Sequence, residues 1–177
     1  MKLVAIYNVW DDYDWLEIST KKLESLVDGF IIVASERSNW GEISPIPEYW
    51  RDKVIVREPF FNHPLNCETD KRNFGLSLAK KAGYTHFLSL DADEVYEAEP
   101  FLKAKERFHV EPDLQGLVCA TQVYFKSPRL TIGLDITLVP FIHKLTSTIK
   151  HEFNRKFPYA WNNGQIKIDP SRSLNIN

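Results

Sequence analysis

The opening stretch to Ala34 constrains the fold more than any other part of the chain. Leu3-Val4-Ala5-Ile6-Tyr7 is a short apolar run with β-branched content, which reads as a buried strand. From Trp15 to Val27 the apolar residues Leu16, Leu23, Leu26 and Val27 fall at helical spacing, and Gly29 stands just past the end. Phe30-Ile31-Ile32-Val33-Ala34 then gives a second buried run. Strand, helix and strand in this order build a parallel sheet with right-handed crossovers. The expected class is therefore α/β, with a mostly parallel central sheet flanked by helices.

The rest of the chain extends that pattern. Ser35 to Trp50 is a polar loop containing Pro45 and Pro47, and Val54-Ile55-Val56 reads as a third strand. Phe60 to Asn66 is expected to be irregular, restricted by Pro59 and Pro64. Thr69 or Asp70 caps a helix running to Ala82, with Phe74, Leu78 and Ala82 at four-residue spacing and Gly83 as its stop. His86-Phe87-Leu88-Ser89-Leu90 is a fourth strand that ends in Asp91-Ala92-Asp93-Glu94. Downstream, a helix is expected over Pro100 to Phe108 and strands over Gly116 to Tyr124 and Ile136 to Lys144, with Pro140 marking an edge or a bulge. Asn163-Gly164 turns into a last short strand, Gln165 to Ile168. Without repeats or a linker the expectation is one domain over residues 1–170, and 171–177 read as a frayed polar tail.

Composition removes several function classes. The 177 residues are 44% hydrophobic and 13% aromatic, enough for a sizeable core. The 22 Lys plus Arg against 24 Asp plus Glu leave a net charge of −2 with no dense basic block, which argues against a nucleic-acid or anionic-membrane partner. Cys67 and Cys119 are too few for a disulfide scaffold or a thiolate zinc cluster, so a reducing compartment is expected. Asn8, Asp11, Asp12 and Asp14 interrupt the first apolar run, which excludes a signal-peptide core or a transmembrane segment there; the expected location is cytoplasmic. Glycines at 29, 41, 75, 83, 116, 133 and 164 are too scattered for a dinucleotide fingerprint or a P-loop, and no Gly-x-Ser-x-Gly elbow is present.

In open α/β sheets, ligands bind outside the carboxyl ends of the strands, and Asp91, Asp93 and Glu94 sit at such an end. Two carboxylates at i and i+2 on a chain leaving a rigid strand offer hard oxygen ligands to Mg²⁺ or Mn²⁺, with other coordination positions left for phosphate oxygens. The competing reading is a turn or cap after a strand. A second pair, Asp12-Tyr13-Asp14, precedes a predicted helix and reads as its cap. Arg72 is a cationic fork suited to phosphate or carbonyl oxygens, or else a salt-bridge partner of Asp70 or Glu68.

Asp70-Lys71-Arg72-Asn73-Phe74-Gly75-Leu76, the helix it opens, and the strand ending in Asp91-Ala92-Asp93 together resemble the central signature of family-2-like glycosyltransferases of the GT-A fold, a Rossmann-like single domain. The resemblance covers roughly the first 110 residues, and the strands carrying Tyr7-Asn8 and Ala34-Ser35-Glu36 stand where that family's nucleotide-contacting strands stand. It implies a transferase that takes a nucleotide-diphosphate sugar donor, bridges its diphosphate with Mn²⁺ or Mg²⁺, and passes the sugar to an acceptor hydroxyl with inversion. Carried over by position, Asp91 and Asp93 hold the ribose and the metal, and Tyr7, Glu36 and Arg72 face the nucleoside. The family's usual Asp after the second strand is missing from Ala34-Ser35-Glu36-Arg37-Ser38, so the base is left open.

The acceptor hydroxyl needs a general base, for which Glu94, Asp135 and Glu152 are the candidates; Glu152 leads, then Asp135. His151-Glu152 resembles a late His-Glu pair of some of these transferases, with the histidine approaching the metal and the carboxylate the acceptor. It is no zinc-protease motif, because Arg155 stands where the second histidine belongs. The C-terminal half is short for the family, which implies a small acceptor, an acceptor site completed by a partner subunit or homo-oligomer, or a partial form. Two rivals stay open. Asp91 to Val95 also fits the nucleophile motif of haloacid-dehalogenase-type phosphatases, although that motif usually opens the chain; the other rival is a non-catalytic nucleotide-sugar or glycan-binding module.

Overall fold

The computed structural model describes residues 1–60, 63–124, 129–152, 159–162 and 166–168. β1 (Leu3–Val9) lies at the centre of a six-stranded sheet, hydrogen-bonded in parallel to β2 (Gly29–Ala34) on one side and β4 (His86–Leu90) on the other. That is why its apolar run is nearly unbroken: both faces are covered. Leu3, Ala5, Tyr7 and Val9 point into one core with α1 (Tyr13–Leu23) and α3 (Ala98–Val110), while Val4 and Ile6 point into another beneath α2 (Pro64–Lys81).

The order is β3-β2-β1-β4-β6-β5, with β3 being Ile55–Val56, β5 Gly116–Tyr124 and β6 Thr131–Lys144. The first four strands are parallel, and β6 runs antiparallel to both its neighbours. Pro140 sits in β6 beyond the residues that pair with β4 and beside a register shift against β5, so its missing N–H leaves no gap in the β4 ladder. A second, antiparallel sheet consists of β7 (Lys150–Glu152), β8 (Tyr159–Asn162) and β9 (Ile166–Ile168).

The α/β class with a mostly parallel sheet flanked by helices is what the strand and helix pattern implies, and several boundaries differ. α1 stops at Leu23, but Leu26 remains in the core just past it. The expected loop before β3 contains a 3₁₀ turn, Glu48–Lys53, that buries Trp50. α2 begins at Pro64 rather than at Thr69 or Asp70: proline at the first helical position lacks only an N–H that would have had no partner there. Gly83 closes the helix at φ 72. β7 and β8 were not expected, and the Asn163-Gly164 turn and the 171–177 tail lie outside the described residues. No helix among the described residues is long and apolar enough to cross a membrane.

Candidate functional site

The chain steps outward from β1 to β2 and β3, and α2 then returns it to β4 on the other side of β1. The crevice outside the carboxyl ends of β1 and β4 is therefore the point where strand order reverses, the position at which open α/β sheets take ligands. β4 delivers Asp91 and Asp93 to that point. Ala92 is buried in the core, while Asp91 and Asp93 on either side of it are exposed. The turn is tied to itself and to the core below. Glu94 takes the Asp91 N–H on its carboxylate at 3.0 Å, and the Glu94 carbonyl accepts the Ser19 hydroxyl, which in turn meets the Tyr7 phenol at 2.6 Å. Burial, and then the neighbouring Asp91, push the Glu94 carboxyl up to about 7.

The segment Arg72-Asn73-Phe74-Gly75 divides its labour. Arg72 is a half-buried fork that donates to Glu68 (2.9 Å), Ser89 (2.9 Å) and Asp91 (2.8 Å). Burial alone would lower its basicity, but Asp91 and Glu68 outweigh that and hold it above the ordinary guanidinium value. Asn73 accepts the His151 N–H and donates to the His151 carbonyl, both at 2.8 Å, and so clamps β7 to α2. A Cβ on Gly75 would lie 2.5 Å from Ile6 Cγ2, so only glycine lets α2 approach β1 this closely and brings Arg72 within reach of Asp91.

An open cleft of about 270 Å³ lies beside this turn. The end of β1 (Asn8, Val9, Trp10), the loop after β2 (Ser38, Asn39, Trp40, Glu42), Glu68 and Lys71 of α2, and Asp91 line it. The Ser38 hydroxyl accepts the N–H groups of Trp40 and Glu42 at 3.1 and 3.0 Å, and that short hairpin holds the Trp40 indole out in solvent, 81% exposed. Lys71, by contrast, is buried. Its ammonium donates to the Val9 carbonyl (2.8 Å) and the Ser35 hydroxyl (2.9 Å), and burial pushes its pKa down to about 8.

Of the residues expected at the site, Asp91 lines the cleft and is in direct contact with Arg72, and Asp93 stands exposed two residues further along the same turn. Tyr7 does not reach it: it is wholly buried on the α1 side, because odd-numbered residues of β1 face that core, and it supports the turn through Ser19 instead of touching a ligand. Glu36 pairs with Arg51 at 3.0 Å and is not among the residues lining the cleft. Asp12 stands before α1 at φ 64, its carbonyl accepting the Leu16 N–H at 2.9 Å, and among the described residues its side chain makes none of the capping bonds expected of it. Burial, then Asp11 and Asp93, raise its pKa, so Asp12 faces the same acidic rim. His151 is buried, neither ring nitrogen has a partner among the described residues, and burial pushes its pKa down to about 3. Among the described residues no three His, Cys, Asp or Glu side chains converge as a metal cage, so Asp91, Asp93 and His151 are not gathered as one ligand set. Asp135 pairs with Thr121 in β6 and Glu152 with Tyr159 in β7; their side chains lie outside those described.

Sequence reasoning missed Lys71 and the Trp40 hairpin. A lysine between Asp70 and Arg72 looks like a solvated helix face, and only the spacing Ser38-x-Trp40-x-Glu42 hints at the loop's internal bonds.

No protein-family model matches the sequence, and no curated protein matches it either. Solved structures are similar at low identity. The crystal structure of S. aureus TarS 1-349 shares 16% identity at TM-score 0.44, covering 82% of this chain and 47% of that one. The same protein in complex with UDP gives 17% and 0.44 over the same shares, and its complex with UDP-GlcNAc gives 16% and 0.39 over 73% and 42%. The chain spans less than half the length of these structures.

Proposed function

We propose that this chain carries a glycosyltransferase site, which moves a sugar from a nucleotide-diphosphate donor to an acceptor hydroxyl with the help of a divalent cation. The observation that carries the reading is the exposed pair Asp91 and Asp93 at the strand-order reversal, backed by Arg72 fixed against Asp91. The donor set suits Mn²⁺ or Mg²⁺. Asp91 Oδ1 is taken by Arg72, which leaves its second oxygen and the exposed Asp93 carboxylate, and such ions bind through one or two carboxylates with ligand phosphates and water filling the other positions. When bound there, the ion would act as a Lewis acid on the departing diphosphate.

The chain's own groups supply the rest. Arg72 is a preorganised cation that needs no rearrangement as negative charge builds on the leaving group. The Tyr7–Ser19–Glu94 chain fixes the turn that aims the carboxylates. The acceptor hydroxyl must lose a proton, and Glu152, on the strand that Asn73 clamps to α2, is the first candidate base, with Asp135 second.

Thermal-shift measurements with UDP, GDP, CDP and dTDP sugars, with and without Mn²⁺, followed by chromatography of donor turnover, test this. A cation-dependent shift and release of the nucleoside diphosphate are expected. Rapid Mg²⁺-dependent turnover of a chromogenic phosphate ester, lost in Asp91→Asn, would overturn the reading in favour of a phosphatase. Binding with neither hydrolysis nor transfer would make the chain a non-catalytic module.

A further inference from the structure

The cleft wall holds a buried cation, Lys71, that forms no ion pair among the described residues. Lys71 is 3% exposed, and both acceptors of its ammonium, the Val9 carbonyl and the Ser35 hydroxyl, are uncharged. An ammonium carries three N–H donors, and among the described residues no acceptor takes the third and no acid forms an ion pair with it. A buried charge left this way is costly and gains when a ligand oxygen reaches it. The rest of the lining says which kind of oxygen. Glu42, Glu68 and Asp91 border the same cleft against two cations, Lys71 and the Arg72 that pairs with Glu68 and Asp91. A phosphate lodged here therefore adds to an excess of negative charge, whereas a neutral ring adds none. Trp10 and Trp40 offer indole faces, and stacking a planar base on an aromatic side chain contributes about 1–3 kcal/mol.

We propose that Lys71 is a specificity-determining residue for the nucleobase: this wall takes a planar heterocycle, and the remaining N–H of Lys71 donates to a carbonyl oxygen of the ring. The inference rests on the reading of the cleft as a nucleotide site and names the class of base it selects. Uracil, thymine and guanine present such an oxygen, and adenine presents an amino group instead. A hydrogen bond from a charged donor in a desolvated wall is worth at least about tenfold in affinity.

Calorimetry with UMP, GMP and AMP on the whole chain tests it. UMP and GMP are expected to bind at least about tenfold tighter than AMP. In Lys71→Met, checked for folding by circular dichroism, that preference disappears while AMP affinity holds. A readout that needs no variant is the side-chain ammonium ¹⁵N resonance of Lys71 in the unaltered protein, expected to move with UMP and to stay still with AMP. Equal affinities for the three nucleotides, no nucleotide binding at all, a folded Lys71→Met protein that keeps the preference, or an unmoved resonance overturns the proposal. Sugar transfer that is indifferent to Lys71→Met would remove the base role and leave the transferase standing. Base discrimination through Lys71 in a protein that transfers nothing would do the reverse.

Discussion

His143 makes the protein's stability dependent on pH in a way that one substitution should remove. The imidazole is 1% exposed in β6, packed against the Phe87 ring at 5.6 Å, and neither ring nitrogen has a hydrogen-bond partner among the described residues. Burial pushes its pKa down from 6.5 to about 3. Below pH 6.5 the unfolded chain therefore binds a proton that the folded chain refuses, and stability falls as the pH drops toward the folded value. At pH 5 the unfolded state gains a factor of about thirty from this site, or about 2 kcal/mol, against almost nothing at pH 7.5. Glu94, raised to about 7, works in the opposite direction, stabilising the fold at low pH, and it cancels when two proteins sharing it are compared. His143→Leu removes the titrating group and two unsatisfied nitrogens at similar volume, so at pH 7.5 the variant should lie within about 1 kcal/mol of the parent. At pH 5 it should be the more stable by about 2 kcal/mol relative to that baseline, a shift of roughly 1 M in the urea midpoint. Urea unfolding followed by tryptophan fluorescence at both pH values reads this directly. His151, also held neutral by burial, contributes in the same direction in both proteins and cancels likewise, so identical pH slopes for parent and variant would refute the contribution of His143 to the acid limb.

Other substitutions probe the site's architecture. Gly75→Ala forces a methyl group against Ile6 and should destabilise by about 1–2 kcal/mol in urea, overpacking outweighing the gain in helix propensity; an unchanged or raised midpoint would show that α2 yields. Asn73→Ala leaves the His151 N–H and carbonyl without their partner, at a cost of about 2 kcal/mol, and hydrogen exchange at the His151 amide should quicken while β1 amides stay protected. Asp93→Ala, at an exposed position, should leave the melting curve unchanged and abolish cation-dependent nucleotide binding in calorimetry.

How much of this was legible differs residue by residue. β4 is found at its expected bounds, His86 to Leu90, because an apolar run followed at once by three acids within four residues has one place to end. For Arg72 the sequence admits a ligand role or a salt bridge with Asp70 or Glu68; in the fold it pairs with Glu68 as well as Asp91, while Asp70 is taken by Arg57 at 2.8 Å. The start of α2 is not legible in the sequence, because a proline such as Pro64 looks the same whether it breaks a helix or begins one. β7 and β8 are not legible because three- and four-residue strands lack enough alternation to stand out.

The amino-acid order alone determined the layering: continuous apolar runs demand cover on both faces, and the helical repeats between them supply it, so a mostly parallel sheet with an acidic rim after its fourth strand follows from local pattern. Only the tertiary structure decided which side chains meet the crevice. Tyr7 and Asn8 are neighbours in sequence, yet the period of two sends one into the α1 core and the other toward the cleft. Lys71 lies on a helix whose charge pattern marks it as solvated, and it is buried only because α2 crosses the ends of β1 and β2, which are far from it in sequence. Burial and electrostatic partnership are properties of contacts between distant segments, and no local window of the chain contains them.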